Sequence, residues 1–378
     1  MPAPRSRHPR RRRATHAPAR CVAVLAACLL AGCAEEPAGT IGAEAEVSFG
    51  EVGRFPGQFS YPRAIDAVMT PEGPELYICD KTARVQRMLA DGTPVGVVQM
   101  PEHELGKPTG LTVAAHPTKP GQRALWVADT HYHRVLVYDL PEGEPFGAEQ
   151  VNPEPTEPLI AFGSYGHGDG EFIYPTDVAV LTDASGAIER VYVSEYGGND
   201  RVCVFTPTTI GGAPSFEFAF AFGTPGTVED APTPDAVVFN RPQSLVIDPE
   251  ANELIVADSC NHRLGRFTLE GELIAWVGGL GDAPGSFTYP YGIALLGGGQ
   301  ALVCEFGACR VQQIDLATGD SLGSFGGAGL GENTLAKPWG VALAGGMAWV
   351  LDSGRNRVVG FEAPTIDRRV MAGEARDD

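Results

Sequence analysis

Two things are scarce in this 378-residue chain. No apolar run reaches the roughly 18–20 residues that a membrane-spanning helix needs. Positive charge is short and unevenly placed: 28 lysines and arginines face 47 aspartates and glutamates, and seven of the arginines fall before residue 21. Otherwise the composition, with 43% hydrophobic and 20% charged residues, is that of an ordinary globular protein.

The first residues read as an export signal rather than as part of the fold. Arg5, Arg7, Arg10 to Arg13 and Arg20 make a basic start, and the apolar run "CVAVLAACLL" follows at 21–30. Small residues then lead to Cys33. The ending Leu30-Ala31-Gly32-Cys33 resembles the lipobox of bacterial lipoproteins. That resemblance implies a signal peptide over 1–32, a lipidated Cys33, and a flexible tether to residue 45. Two or more acyl chains give stable membrane anchoring. Ala34 rather than aspartate after the cysteine implies the outer membrane, facing the periplasm or the outside.

Removing the signal leaves 21 basic residues against 47 acidic ones, a net charge near −26. Such a body repels phosphate backbones, so nucleic acid is excluded as a partner. Five cysteines remain beyond Cys33, namely 79, 203, 260, 304 and 309. The odd count leaves at least one free thiol. Cys79 and Cys304 read as buried thiols, and a bridge between Cys260 and Cys309 stays open.

From residue 46 onward the chain repeats. "YPRAIDAV…LYICDKTARVQRM" at 61–88 has the same order as "RPQSLVID…LIVADSCNHRLGRF" at 241–267, and four further copies start near 107, 174, 289 and 337. The shared prolines are 62, 108, 175, 242, 290 and 338. Each copy carries an acid and then an arginine: Asp80/Arg84, Asp129/Arg134, Glu195/Arg201, Asp258/Arg263, Glu305/Arg310 and Asp352/Arg357. Segments ending in Phe-Gly or a near variant separate the copies. A period near 47 residues with four short strands per copy predicts propeller blades. The expected fold is an all-β, six-bladed β-propeller with four antiparallel strands per blade. Blade six needs a closing strand, either 46–50 or 367–373, and the N-terminal candidate matches the repeat better. The stretches 140–158, 206–215 and 224–240 read as loops because of their Pro and Gly content. Residues 364–378 read as a tail.

These motifs resemble the NHL repeat: Phe-Gly, Pro-x-Gly-Val-Ala, hydrophobic-Ala-Asp and Asn-x-Arg-Val, over residues 46–362. In such a propeller, which is expected to be monomeric, the b–c and d–a loops share one face, called the top. The paired acids and arginines read as structural, and the other reading is a ring of carboxylates holding a cation. The residues after the prolines begin the innermost strand. Arg63, Thr109, Thr176, Gln243, Tyr291 and Trp339, with His131, His133 and His262, are therefore the candidate binding residues of the top mouth. Tyr174, Tyr289, Tyr132, Tyr196, Phe306 and Arg241 are expected beside them. Alanine at Trp339 and Tyr291 is expected to abolish binding without unfolding.

No catalytic residue and no metal ligand stands out in the sequence, and no cofactor is required, although a bound Ca or Zn ion stays open. The expected role is a membrane-anchored, extracytoplasmic binding or scaffold module for an envelope protein, a peptide or a glycan. The alternative is a metal-dependent lyase. Some NHL-type propellers are similar to the amidating lyase that cleaves peptidyl-hydroxyglycine, whose zinc is held by histidines at the top. His133 and His262 occupy matching loop slots, but none of the post-proline residues is histidine.

Overall fold

The computed structural model describes residues 44–141 and 154–365. The expectations for the signal, the lipidated Cys33, most of the 140–158 loop and nearly all of the C-terminal tail fall outside these residues. Six four-stranded antiparallel sheets form the blades. Strands are called a to d from the axis outward. Blade one is Pro62–Thr70, Gly73–Asp80, Arg84–Leu89 and Pro94–Gln99. Blade four, which holds one of the clearest copies of the repeat, is Pro242–Asp248, Glu253–Asp258, Arg263–Thr268 and Leu273–Val277. Blade six supplies Gly340–Ala344, Met347–Asp352 and Arg357–Glu362, and Ala45–Phe49 pairs antiparallel with the last of these to complete it. The N-terminal strand thus closes the ring, covering an edge that would otherwise be open.

The blades pack face to face through six apolar clusters, one at each junction. The b and c strands are buried on both faces and carry Val, Ile, Leu and aromatic residues in unbroken runs, as in Tyr77–Cys79 and Leu254–Ala257. Trp126 and Trp349 are among the largest wholly buried side chains.

The Phe-Gly signature has a steric origin. Gly50, Gly163, Gly223 and Gly278 have φ of +97°, +91°, +88° and +78°. A Cβ on each would lie within 2.5 Å of the ring of Phe59, Phe172, Phe239 or Phe287, respectively. Those four phenylalanines have no exposed surface. Glycine therefore both permits the turn and lets the loop's phenylalanine seat against it.

Residues 206–215 are not a loop. The c and d strands of blade three, Arg201–Ile210 and Ala213–Phe222, extend into a long hairpin turned at Gly211-Gly212, both at positive φ. Pro207 and Pro214 had suggested a break, but this hairpin lies at the outer edge of the propeller, where a missing ladder donor is tolerated. Within 224–240, only Thr224–Pro225 and Val238–Phe239 pair, as a short parallel bridge.

Candidate functional site

Each repeat acid lies at or next to the end of a b strand and has no exposed surface. It meets its arginine across the b–c turn at 2.5–3.0 Å in all six blades. In five blades the carboxylate also accepts a d–a loop amide: Ser60, Ile173, Asn240, Thr288 or Ala336. Five of the arginines donate onward to loop carbonyls, as Arg263 does to Val238 and Arg310 to Asp282. This clamp fixes the top loops. Blade two departs from it: Asp129 Oδ1 has no partner, and Arg134 also binds Glu102. Burial raises Asp129 and Asp258 to about 6, against the pull of their arginines.

The slot before the arginine is a backbone turn. His133, His262 and Asn356 cap three 3-10 turns, with φ between 56° and 58°. Their side chains latch onto the next blade. His133 Nδ1 meets Ile173 O, His262 Nδ1 accepts Tyr289 N at 3.1 Å, and Asn356 Oδ1 accepts Tyr61 N at 2.6 Å. Asp200 does the same for Arg241 N at 2.6 Å. His131 packs at a tilt against Tyr174, with ring centres 5.5 Å apart, and its pKa is lowered by burial and then by Lys107 and Arg63. The structure does not gather the three histidines around one point. Among the described residues, no group of three or more His, Cys, Asp or Glu is placed to hold a metal ion. Among the described residues, the three histidines therefore do not assemble the kind of zinc site that an amidating lyase would need.

The post-proline residues converge on the axis, but most are walls rather than an exposed mouth. Thr109, Thr176, Gln243, Tyr291 and Trp339 are at most 6% exposed. Thr109 and Thr176 spend their hydroxyls between blades: Thr109 donates to Thr176 O at 3.1 Å and Thr176 to Pro242 O at 2.6 Å. Tyr291 and Trp339 belong to the apolar cluster between blades six and one. Replacing either with alanine would therefore unsettle the fold, contrary to the sequence expectation. Loss of a buried large aromatic side chain costs about 3–5 kcal/mol.

What opens on the top face is a pocket of about 440 Å³ lined by Tyr61, Arg63, Lys81, Arg241, Tyr291, Phe306 and Trp339. Tyr291 stacks on Phe306 at 4.8 Å, and Trp339 stands edge-on to Tyr61, Tyr291 and Phe306. Arg63 lies over Tyr61 and Trp339; Arg241 lies over Tyr196 and Tyr291. Lys337 sits 5.8 Å above Phe306. Tyr61, Lys81 and Lys337 escaped the sequence reading. Tyr61, Arg241 and Lys337 share the slot just before the proline, each at φ of 52–58°. That slot was the available signal.

Below this pocket a channel of about 400 Å³ runs between the a strands. Asp66 and Asp177 enter it, and burial raises their carboxyls to about 6 and about 7. Each caps a neighbouring strand: Asp66 accepts Val113 N at 2.7 Å, and Asp177 accepts Ser244 Oγ at 2.8 Å and Leu245 N at 3.1 Å.

The cysteines are all free thiols among the described residues, including Cys260 and Cys309. Cys79 and Cys304 are wholly buried, which pushes their thiols well above the usual range. Gly319 to Gly323 spells Gly-x-Ser-x-Gly, but it spans the c–d turn and strand d of blade five, not a strand-to-helix turn.

Comparison with known proteins agrees with this architecture. The NHL repeat model matches residues 239–267, which run from the end of a d–a loop through strand c of blade four. No curated protein matches the chain. A structural genomics protein of unknown function from Bacteroides thetaiotaomicron is similar over 85% of this chain and 75% of that one, at 16% identity and a TM-score of 0.53. Virginiamycin B lyase from Staphylococcus aureus matches over 79% of this chain and 80% of that one, at 13% identity and a TM-score of 0.43. A streptogramin B lyase matches over 83% and 96%, at 13% identity and 0.48. The first likeness speaks to fold alone, and the other two carry no argument about activity.

Proposed function

We propose that this six-bladed propeller, which carries an NHL repeat, is a binding module of the cell envelope. It is held by a lipid on Cys33 and engages an envelope protein, peptide or glycan at the mouth of its top face. The observation that carries this reading is the mouth pocket itself. It is concave, bordered by four aromatic rings and three cations, and set on loops that the acid–arginine clamps hold rigid. A concave wall that joins aromatic surface with placed polar groups suits recognition, and a preformed site spares the cost of ordering it on binding.

Strand a leaves the top, so strand d returns to it, and Ala45 begins a d strand at the bottom. The described chain therefore begins at the face opposite the mouth.

The test is affinity capture from detergent-solubilised envelope. Wild-type chain is compared with the paired top-face variant Lys81→Gln/Arg241→Gln and with Glu72→Gln in an a–b turn at the bottom. The expected result is a partner retained by wild type and by Glu72→Gln and lost by the top-face pair. Equal retention by all three would overturn the reading. Turnover of a peptidyl-hydroxyglycine by the purified chain, with Zn or Ca supplied, would replace it with the lyase alternative.

A further inference from the structure

The cations of this acidic chain are placed with a bias that packing does not explain. Most basic side chains of the blades end on carboxylates, as Arg87 does on Glu75 and Arg266 on Glu253, and of the seven described cations that do not, four gather at one place. These are Arg63, Lys81, Arg241 and Lys337: among the described residues, none of the four has a carboxylate within ion-pair distance. All four border the mouth. Donors without acceptors line the mouth and the channel just beneath it, Arg63 and Trp339 bordering both and Gln243 the channel. Arg63 Nε, Gln243 Nε2 and Trp339 Nε1 are buried with no hydrogen-bond partner, and the last two belong to residues 3% and 6% exposed. Unpaired like charges and unpaired donors together favour an incoming acceptor that carries negative charge.

We propose that the mouth binds a carboxylate attached to a flat apolar group, supplied either as a free aromatic acid or as the C-terminal residue of a peptide. This rests on the reading of the mouth as the recognition site and names its ligand chemistry. Two guanidinium forks match a carboxylate's two oxygens, and both already lie over aromatic faces. A pocket of about 440 Å³ holds one residue-sized group. Asp66 stands three positions beyond Arg63 on the same strand, about 10 Å deeper. With Asp177 it makes the channel hostile to an anion, so the charged end stays at the rim. A phosphate is disfavoured because phosphate sites draw on free backbone amides. Here the amides of Tyr61 and Arg241 are already given to Asn356 and Asp200. Burial, with Arg241 nearby, also lowers the pKa of Arg63, a penalty that a bound anion reverses.

The experiment is calorimetric titration of the purified full chain, in a buffer free of carboxylates, with phenylacetate, phenylacetamide, inorganic phosphate, and an Ala-Ala-Phe peptide with a free or an amidated C-terminus. The expected result is binding of both free acids, with each amide weaker by about ten- to hundredfold, the worth of a charge-assisted hydrogen bond. Arg241→Gln and Lys337→Gln, whose side chains are not core, should each weaken the acids while leaving the midpoint of thermal unfolding in place. Tighter binding of the peptide than of phenylacetate would identify a chain end as the source, and the reverse would identify a free acid. Amides that bind as well as acids, or phosphate that competes as well, overturn the carboxylate inference while leaving the mouth as a binding site. Binding by none of the probes also overturns it, and the envelope capture then judges the broader reading separately.

Discussion

The Phe-Gly signature makes a sharp prediction at Gly278. This residue sits at φ +78° between strand d of blade four and its loop. An alanine Cβ there would stand 2.3 Å from Phe287 Cε2 and 2.5 Å from Cδ2. Phe287 is wholly buried between blades four and five, so the ring cannot swing into solvent. Left-handed backbone costs a non-glycine residue about 1–2 kcal/mol. Forcing an added methyl into a packed site costs typically about 1–3 kcal/mol more. Gly278→Ala should therefore destabilise by about 2–5 kcal/mol. Gly279→Ala, one residue on, is the control: that position lacks a positive φ, and its Cβ would meet nothing within 4 Å. Urea unfolding, followed by far-UV circular dichroism and tryptophan fluorescence, measures both. A Gly278→Ala unfolding free energy within about 0.5 kcal/mol of wild type, or a Gly279→Ala loss as large, would refute the steric account of the motif.

Arg263→Gln should lower stability by about 3–5 kcal/mol in the same assay, because it strands the buried Asp258 carboxylate and removes the guanidinium 3.4 Å from the Trp276 ring centre. Asp177, raised to about 7 against about 4 when unfolded, holds its proton longer in the folded state. Its contribution is full below about pH 4 and is lost as the pH rises through about 7. Melting temperatures across that window should fall less steeply for Asp177→Asn than for wild type, and identical slopes would contradict the assignment. A chain starting at Gly50 lacks the closing strand and should lose its cooperative transition; an unchanged melting curve would mean that Ala45–Phe49 does not close blade six.

How much of this was legible in the sequence follows from what repeats. Blade number and strand order were readable because proline, acid, arginine and Phe-Gly recur in register, and the closing strand was readable because "VSFG" spells the end of the repeat. The extended hairpin of blade three was not readable, since Pro207 and Pro214 obey edge rules that cannot be applied before the edge is known. The mouth was half legible. Strand alternation placed Arg63, Tyr291 and Trp339 at the axis, but it could not tell a wall from an opening. Which side chains overhang it depends on the left-handed turn at Tyr61, Arg241 and Lys337, a backbone feature that these residue types do not announce.

The central claim is that recognition happens at the mouth. Hydrogen–deuterium exchange of the chain with and without its captured partner tests this most directly. The account predicts protection at residues 60–63, 80–83, 241–243 and 337–339, with the bottom turns at 71–74 and 90–93 unchanged. Protection confined to the bottom turns or the outer strands, with the mouth exchanging as before, would contradict it.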